Sequence, residues 1–401
     1  MRLDTDTMTA TERVLTAVNR EEPDRVPIFL MGMPIYSDFY QEFLRRQEDP
    51  TLGFEAFTEN DENVKITPFG DLTVPYFFGH EVAQRGIDIE GQFTRRVDAE
   101  GNFIEDAPQG EPESRQVTYF GRLEGVKVLP NGENYTWYIK GFLDNKEKLL
   151  NWFDTYGWPH EHKISSLDVH LFQEMQEKFG RDFCVMAHVG NAGFYERTWF
   201  MMGQARFVYY TRKDPELVMR VINSIKDASL NMVDELKPVK PNLIWVADDL
   251  GQKGRALLSP AMHEKFFGEA RREFYAKVHE ELGAKIIMHS CGNVEELLPQ
   301  LADWGLDGWQ SLEPASEIDH AAVKAKFGDR MCFWGGIDSS RELCFGNAES
   351  IRKHVQKQIA ALGRGGGYVA GPAHDYLNVP VDNAIAMRDA ILELGKYPLQ
   401  F

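Results

Sequence analysis

The chain has 401 residues, 43% of them apolar, enough for one large or two ordinary globular domains with a sizeable core. Its 44 basic and 62 acidic side chains leave a formal net charge of −18, which would repel nucleic acid and anionic membrane surfaces and favours small-molecule or protein partners. No basic segment leads into a signal-like apolar core and no apolar run approaches the roughly 20 residues that span a bilayer, so a cytoplasmic location is expected. Cys184, Cys291, Cys332 and Cys344 show no CxxC spacing and are too few for a disulfide framework, leaving thiols that are buried, reactive or metal-bound.

In chain order, the pattern predicts a helix over 10–19 and an opening strand in "DRVPIFLMG". The segments "QVTYFGRLEGVKVL" and "NYTWYIKGFL", separated by "PNGE", read as hairpins, and an antiparallel insertion over 68–143 is expected to cover part of the molecule's mouth. From Phe183 onward, short apolar runs alternate with helical periodicity: "FCVMAHVG", "NLIWVADD", "AKIIMHSCG", "LDGWQSLEP", "MCFWGGID" and "GGYVAGPAH". Ser259 and Gly283 bracket one intervening helix, Pro380 and Gly395 another. Continuous rather than alternating apolar strands fit a parallel sheet buried on both faces. The expectation is one α/β domain over 1–401, a (β/α)₈ TIM barrel with an antiparallel β insertion in its N-terminal half, in preference to a doubly wound sheet.

Polar residues follow nearly every strand: His188, Asp248 and Asp249, His289 and Cys291, Gln310 and Glu313, Asp338, and His374. In a barrel these positions converge on the C-terminal face, where such folds carry their chemistry. His289-Ser290-Cys291 offers imidazole and thiolate to one point, an ordinary zinc pair; the competing reading is a hydrogen-bonded histidine beside a small buried thiol. His374, at the end of the last apolar run, is the candidate third ligand, against the alternative of a structural histidine. Asp248 and Asp249 are candidate catalytic carboxylates, a fourth ligand or a support for a ligand imidazole, or else a helix cap or solvated turn. His188, Glu313 and Asp338 are candidates for holding a cofactor or substrate, or for bonding loop backbone. The aromatic stretch "GFYERTWFMMGQARFVYY" reads as helix core or as the lining of a flat pocket. There is no GxSxG, GxxxxGK[ST] or HExxH.

Taken together, "TATERVLTAVNREEPDRVPIFLMGM", "ADDLGQKGRALLSPAMHEKFF", "MHSCGNVEELLPQLADWGLDGWQSLEP", "FWGGID" and "GPAHDYLNVPVDNAIAM" resemble the uroporphyrinogen decarboxylase superfamily. That resemblance implies a (β/α)₈ barrel and either of two chemistries. The porphyrinogen decarboxylases carry an arginine-bearing "RQAGRY" segment after the first strand, and the matching "IFLMGMPIYSDFY" has no arginine. The branch similar to methylcobamide:coenzyme M methyltransferases carries His-x-Cys-Gly and a later "GPGC" loop as zinc ligands. His289-Ser290-Cys291-Gly292 matches the first, and Gly371-Pro372-Ala373-His374 puts histidine where that branch has cysteine. The resemblance therefore implies a Zn²⁺ site of His289, Cys291 and His374. It also implies a corrinoid as co-substrate, free or on a corrinoid protein, and a small-molecule methyl donor or thiol acceptor. A decarboxylase or lyase using Asp248 or Asp249, and a non-catalytic corrinoid- or tetrapyrrole-binding protein, are the alternatives; a homodimer is compatible with all three.

Overall fold

The computed structural model describes residues 3–31, 42, 45, 77–87, 89, 93–104, 113–128, 134–163, 166–374 and 378–401. In the N-terminal half the strands are β1 (Val82–Ile87), β2 (Thr94–Val97), β3 (Glu113–Thr118), β4 (Arg122–Val128) and β5 (Asn134–Gly141). Then come β6 (Cys184–Val189), β7 (Leu243–Ala247), a short ribbon of β8 (Gly251–Gln252) and β9 (Arg255–Ala256), β10 (Lys285–His289), β11 (Gly308–Ser311), β12 (Cys332–Ile337) and β13 (Tyr368–Pro372). Seven of them form one sheet in the order β1-β6-β7-β10-β11-β12-β13, every pairing parallel. The first helix, Ala10–Val18, starts at Thr9, whose side chain accepts the Glu12 amide while Glu12 reaches back in a capping box.

All six apolar runs after Phe183 are strands of this sheet, and between them lie helices such as Pro215–Leu236, Ala348–Leu362 and Val381–Leu394. The run expected as an opening strand, "DRVPIFLMG", instead makes isolated bridges: Ile28 pairs in parallel with Ala370 in the edge strand β13 and with His80, two residues before the other edge strand, β1. The Phe29 amide donates to the Ala370 carbonyl at 2.9 Å and the Glu81 amide to the Ile28 carbonyl at 3.1 Å. Pro27 has no N–H to give, which limits the ladder here.

Within the 68–143 span, Thr94–Gly141 contains an antiparallel sheet ordered β2-β3-β4-β5. Val82–Ile87 lies inside the same span yet pairs in parallel with β6. Its mixed burial, two buried residues followed by exposed ones, hides a parallel strand from a search for unbroken apolar runs. Residues 68–76 and the whole of the expected "PNGE" turn lie outside the described residues.

Side-chain parity places the chemistry. Cys184 and Met186 of β6, Trp245 of β7, Ile287 of β10, Cys332 and Trp334 of β12 and Val369 of β13 share one apolar cluster with Phe29. Their strand neighbours Val185, Val246, Ile286, Phe333 and Tyr368 belong to a second, larger cluster with the helices. Alternate residues therefore face opposite sides of the sheet. His289 follows Ile287 by two, and so sits on the side of the first cluster.

Candidate metal centre

His289 ends β10, 5% exposed, with its ring stacked at 6.0 Å and 19° against Trp245. Its Nδ1 meets Oε1 of the fully buried Gln310, which lies beside it across the β10–β11 ladder. Its Nε2 lies 3.2 Å from Cys291 Sγ and 3.5 Å from an Asp249 carboxylate oxygen. His374 comes in from the segment after β13, its ring 5.7 Å from that of His289 and inclined at 65°. One ligand atom from each of His289, Cys291 and His374 lies within 4.8 Å of the others. The loop that carries Cys291 is fixed by packing. Gly292 has φ +76, and a Cβ there would stand 2.3 Å from the Gly251 carbonyl carbon, so only glycine lets the β8–β9 ribbon close over it.

The two aspartates separate. Asp249 is half-buried and accepts the Cys291 amide at 2.8 Å, beside the cluster. Asp248 is fully buried and faces away: one oxygen meets Arg271 Nη2 at 2.6 Å, the other accepts the Glu196 amide at 2.9 Å at the start of the helix Phe194–Met202. Burial pushes its pKa up, against the pull of Arg271. Asp248 is thus a helix-capping partner of a buried guanidinium, and only Asp249 reaches the cluster.

Glu313 accepts the Gly292 amide at 3.0 Å and the Ser316 hydroxyl at 2.9 Å. Asp338 is 8% exposed and its Oδ1 accepts the Ser340 amide and hydroxyl and the Arg341 amide, the loop-bracing role. Both border a cavity of about 370 Å³ that also touches His374 and Ala373. His188 stands in β6 opposite Trp245 of β7, on the same side as the first apolar cluster. The aromatic stretch is core in part: Phe194, Tyr195, Met201, Met202 and Phe207 are buried in two consecutive helices, whereas Val208 and Tyr209 are exposed.

Two residues gained a place that the sequence pattern did not assign. Gln310 appears among the strand-end residues, but its partners come from β10 and the loop after β13. Glu196 sits one turn into a helix, and burial together with the Asp249 and Asp248 charges holds its carboxyl well above the usual range. Its carboxyl accepts the Asp249 backbone N–H, which pulls the other way without prevailing.

The donor set, two imidazoles and a thiol, is of the kind zinc takes in catalytic sites, where a fourth position goes to water or substrate. Burial pushes the Cys291 thiol far up, and Asp249, Glu313 and Glu196 add to the shift. Ionising it needs a compensating cation. In chelator-treated protein at pH 8, alkylation of Cys291 by iodoacetamide, followed by peptide mass spectrometry, is expected to run at under about a tenth of the rate of a free thiol, whose pKa is about 8.5. Alkylation at the free-thiol rate would contradict this.

Comparison with known proteins now gives these residues a family. Residues 198–394 match the family model "Uroporphyrinogen decarboxylase (URO-D)". This segment is a URO-D domain. The chain is 27% identical over 185 residues to a uroporphyrinogen decarboxylase of Psychromonas ingrahamii, covering 45% of this chain and 50% of that protein. It is 24% identical over 182 residues to the methylcobamide:CoM methyltransferase MtaA of Methanosarcina barkeri, covering 45% and 51%. The chain thus spans about half the length of the curated relatives it matches. A methyltransferase from Methanosarcina mazei aligns over 96% of this chain and 99% of that one with TM-score 0.59 and 16% identity, which shows a shared fold. His289, Cys291, His374, Asp249, Gln310 and Glu313 all lie in the URO-D domain, whereas His188 and Glu196 precede it.

Proposed function

We propose that this protein is a zinc-dependent methyltransferase that moves a methyl group between a corrinoid, free or carried by a corrinoid protein, and a small-molecule methyl donor or thiol acceptor. The observation that carries this reading is the meeting of His289, Cys291 and His374, whose ligand atoms lie within 4.8 Å of one another. The scaffold is read as a closed (β/α)₈ barrel of one domain over 1–401. Support comes from Ile28, which bridges toward both edges of the seven-stranded sheet. The sheet Thr94–Gly141 is read as an insertion. Among the described residues no helix is long and apolar enough to cross a membrane.

Held by His289, Cys291 and His374, zinc would supply the Lewis acidity that keeps a thiol acceptor ionised at neutral pH or polarises the heteroatom of a methylated donor. Histidine at 374 in place of cysteine leaves less anionic charge on the ligands, which favours activation of a donor. The chain's own groups prepare the rest. Trp245 stacks against His289 and holds the plane of its ring. Asp249 holds the Cys291 backbone in place. Glu196 accepts the Asp249 backbone N–H and so braces the turn that carries Asp249, while burial and the charges of Asp249 and Asp248 hold its carboxyl well above the usual range. Glu313, Asp338 and His374 border the 370 Å³ cavity, a volume that suits a small molecule.

The test is methyl transfer in both directions in the presence of zinc. Co(I) cobalamin is offered a panel of methylated amines, thioethers and aryl ethers, methylcobalamin a panel of thiols, and the cobalamin spectrum is followed. Turnover that disappears in Cys291→Ala is expected. Zinc-loaded protein that transfers no methyl group in either direction would overturn the reading and leave ligand capture; release of CO₂ from carboxylated pyrroles would replace it with decarboxylation.

A further inference from the structure

Gln310 is a fully buried amide with two partners, and both belong to segments that carry a candidate ligand. Its Nε2 donates to the Ala373 carbonyl at 3.2 Å, one residue before His374. A carbonyl can only accept, so the NH₂ end of the amide must face Ala373, and Oε1 must face His289. Oε1 in turn can only accept, so the proton of a neutral His289 imidazole lies on Nδ1. The lone pair is then on Nε2, the atom 3.2 Å from Cys291 Sγ.

The backbone has been cleared for this arrangement. Gly335, in the "WGGI" of β12, has φ +93, and a Cβ there would stand 3.3 Å from Gln310 Nε2 and 2.7 Å from the Ser311 carbonyl oxygen. A side chain at this point of β12 would crowd the amide where it passes between β11 and the end of β13, and would clash with the Ser311 carbonyl.

We infer that Gln310 is the positioning residue of the metal centre: one amide sets the His289 tautomer and ties the His374 segment to the His-x-Cys segment. The inference rests on the metal reading proposed above, but half of it, the tautomer, stands without metal. Outer partners of metal-bound histidines of this kind contribute about 10–100-fold to metal affinity.

The experiment compares parent, Gln310→Leu and Gln310→Glu by zinc affinity, measured against a chromophoric chelator, and by long-range ¹H–¹⁵N spectra of the metal-free proteins. Gln310→Leu is expected to lose about 10–100-fold in zinc affinity and the Nδ1–H form of His289. Gln310→Glu still accepts from Nδ1, and is expected to keep that tautomer and recover part of the affinity despite losing its donor to Ala373. Thermal midpoints identify a variant that has failed to fold. Equal losses in both folded variants, or an Nε2–H tautomer of His289 in the metal-free parent, would overturn the inference. A parent that binds no zinc sinks the metal reading, while the tautomer spectra still decide for or against Gln310.

Discussion

Replacing Glu81 by alanine is expected to cost about 3–5 kcal/mol of folding stability, the usual result of removing one partner from a buried ion cluster. Glu81 is 2% exposed and lies between two equally buried arginines. It contacts Arg13 Nη1, accepts from Arg25 Nη2 at 3.0 Å and Nη1 at 3.1 Å, and takes the Ile28 backbone N–H at 3.0 Å. Asp6 and Asp24 complete the cluster, with Arg25 Nε to Asp6 at 2.9 Å and Arg13 Nε to Asp24 at 2.6 Å. Alanine would remove one of the three carboxylates that face the two buried guanidinium ions, leave their Nη donors and the Ile28 N–H without that acceptor, and free the strand segment that bridges toward both sheet edges. Such a loss is a large fraction of the roughly 5–15 kcal/mol that stabilises an ordinary domain. Urea unfolding at pH 7 measures it, and a loss under about 1 kcal/mol would contradict the account.

The same cluster sets an acid limit. Burial raises the Asp24 pKa, but the Arg13 hydrogen bond and the Met8 and Thr7 amides outweigh it and leave the value at about 2. A folded pKa below the unfolded one stabilises fully above the unfolded value, near 4, and this stability drains as pH falls toward 2. Asp24→Asn should flatten that part of the urea-midpoint profile.

Removing a ligand is the other large effect. Zinc bound by four protein ligands in small structural sites is worth about 10–16 kcal/mol, so one ligand accounts for about 3 kcal/mol, roughly a hundredfold or more in Kd. His374→Ala and Cys291→Ala are each expected to weaken zinc binding by at least that factor without unfolding the protein, since both side chains sit at the ends of strands rather than in the apolar clusters. His374→Cys should retain zinc, because the position would still offer a ligand atom. Competition with a chromophoric chelator gives all three values. An unchanged Kd in His374→Ala would remove His374 from the centre.

Much of this was legible in the residues, for definable reasons. The six strands after Phe183 announced themselves because each is buried on both faces and so has no polar alternation to confuse it. His289, Cys291 and His374 could be grouped because strand ends of a parallel sheet share one side. The helix over Pro260–Leu282 was bracketed by Ser259, which caps Met262, and by Gly283 at φ +66. The strand Val82–Ile87 was not visible, since three exposed or half-buried residues break its apolar run. The fates of Asp248 and Asp249 depended on parity. Trp245, Ala247 and Asp249 alternate toward the cluster, while Asp248 turns to Arg271, 23 residues away and in no local motif. Gln310 was placed at a strand end, but a role that depends on Ala373, 63 residues on, needs the fold. Residues 32–40, where the arginines of a porphyrinogen decarboxylase would be sought, lie outside the described residues.

The most direct test of the metal centre is the zinc content of the protein purified from zinc-replete cells, measured by mass spectrometry beside Cys291→Ala. The account predicts about one zinc per chain in the parent and far less in the variant. Parent protein that is metal-free, and that takes up no zinc on titration, would contradict it.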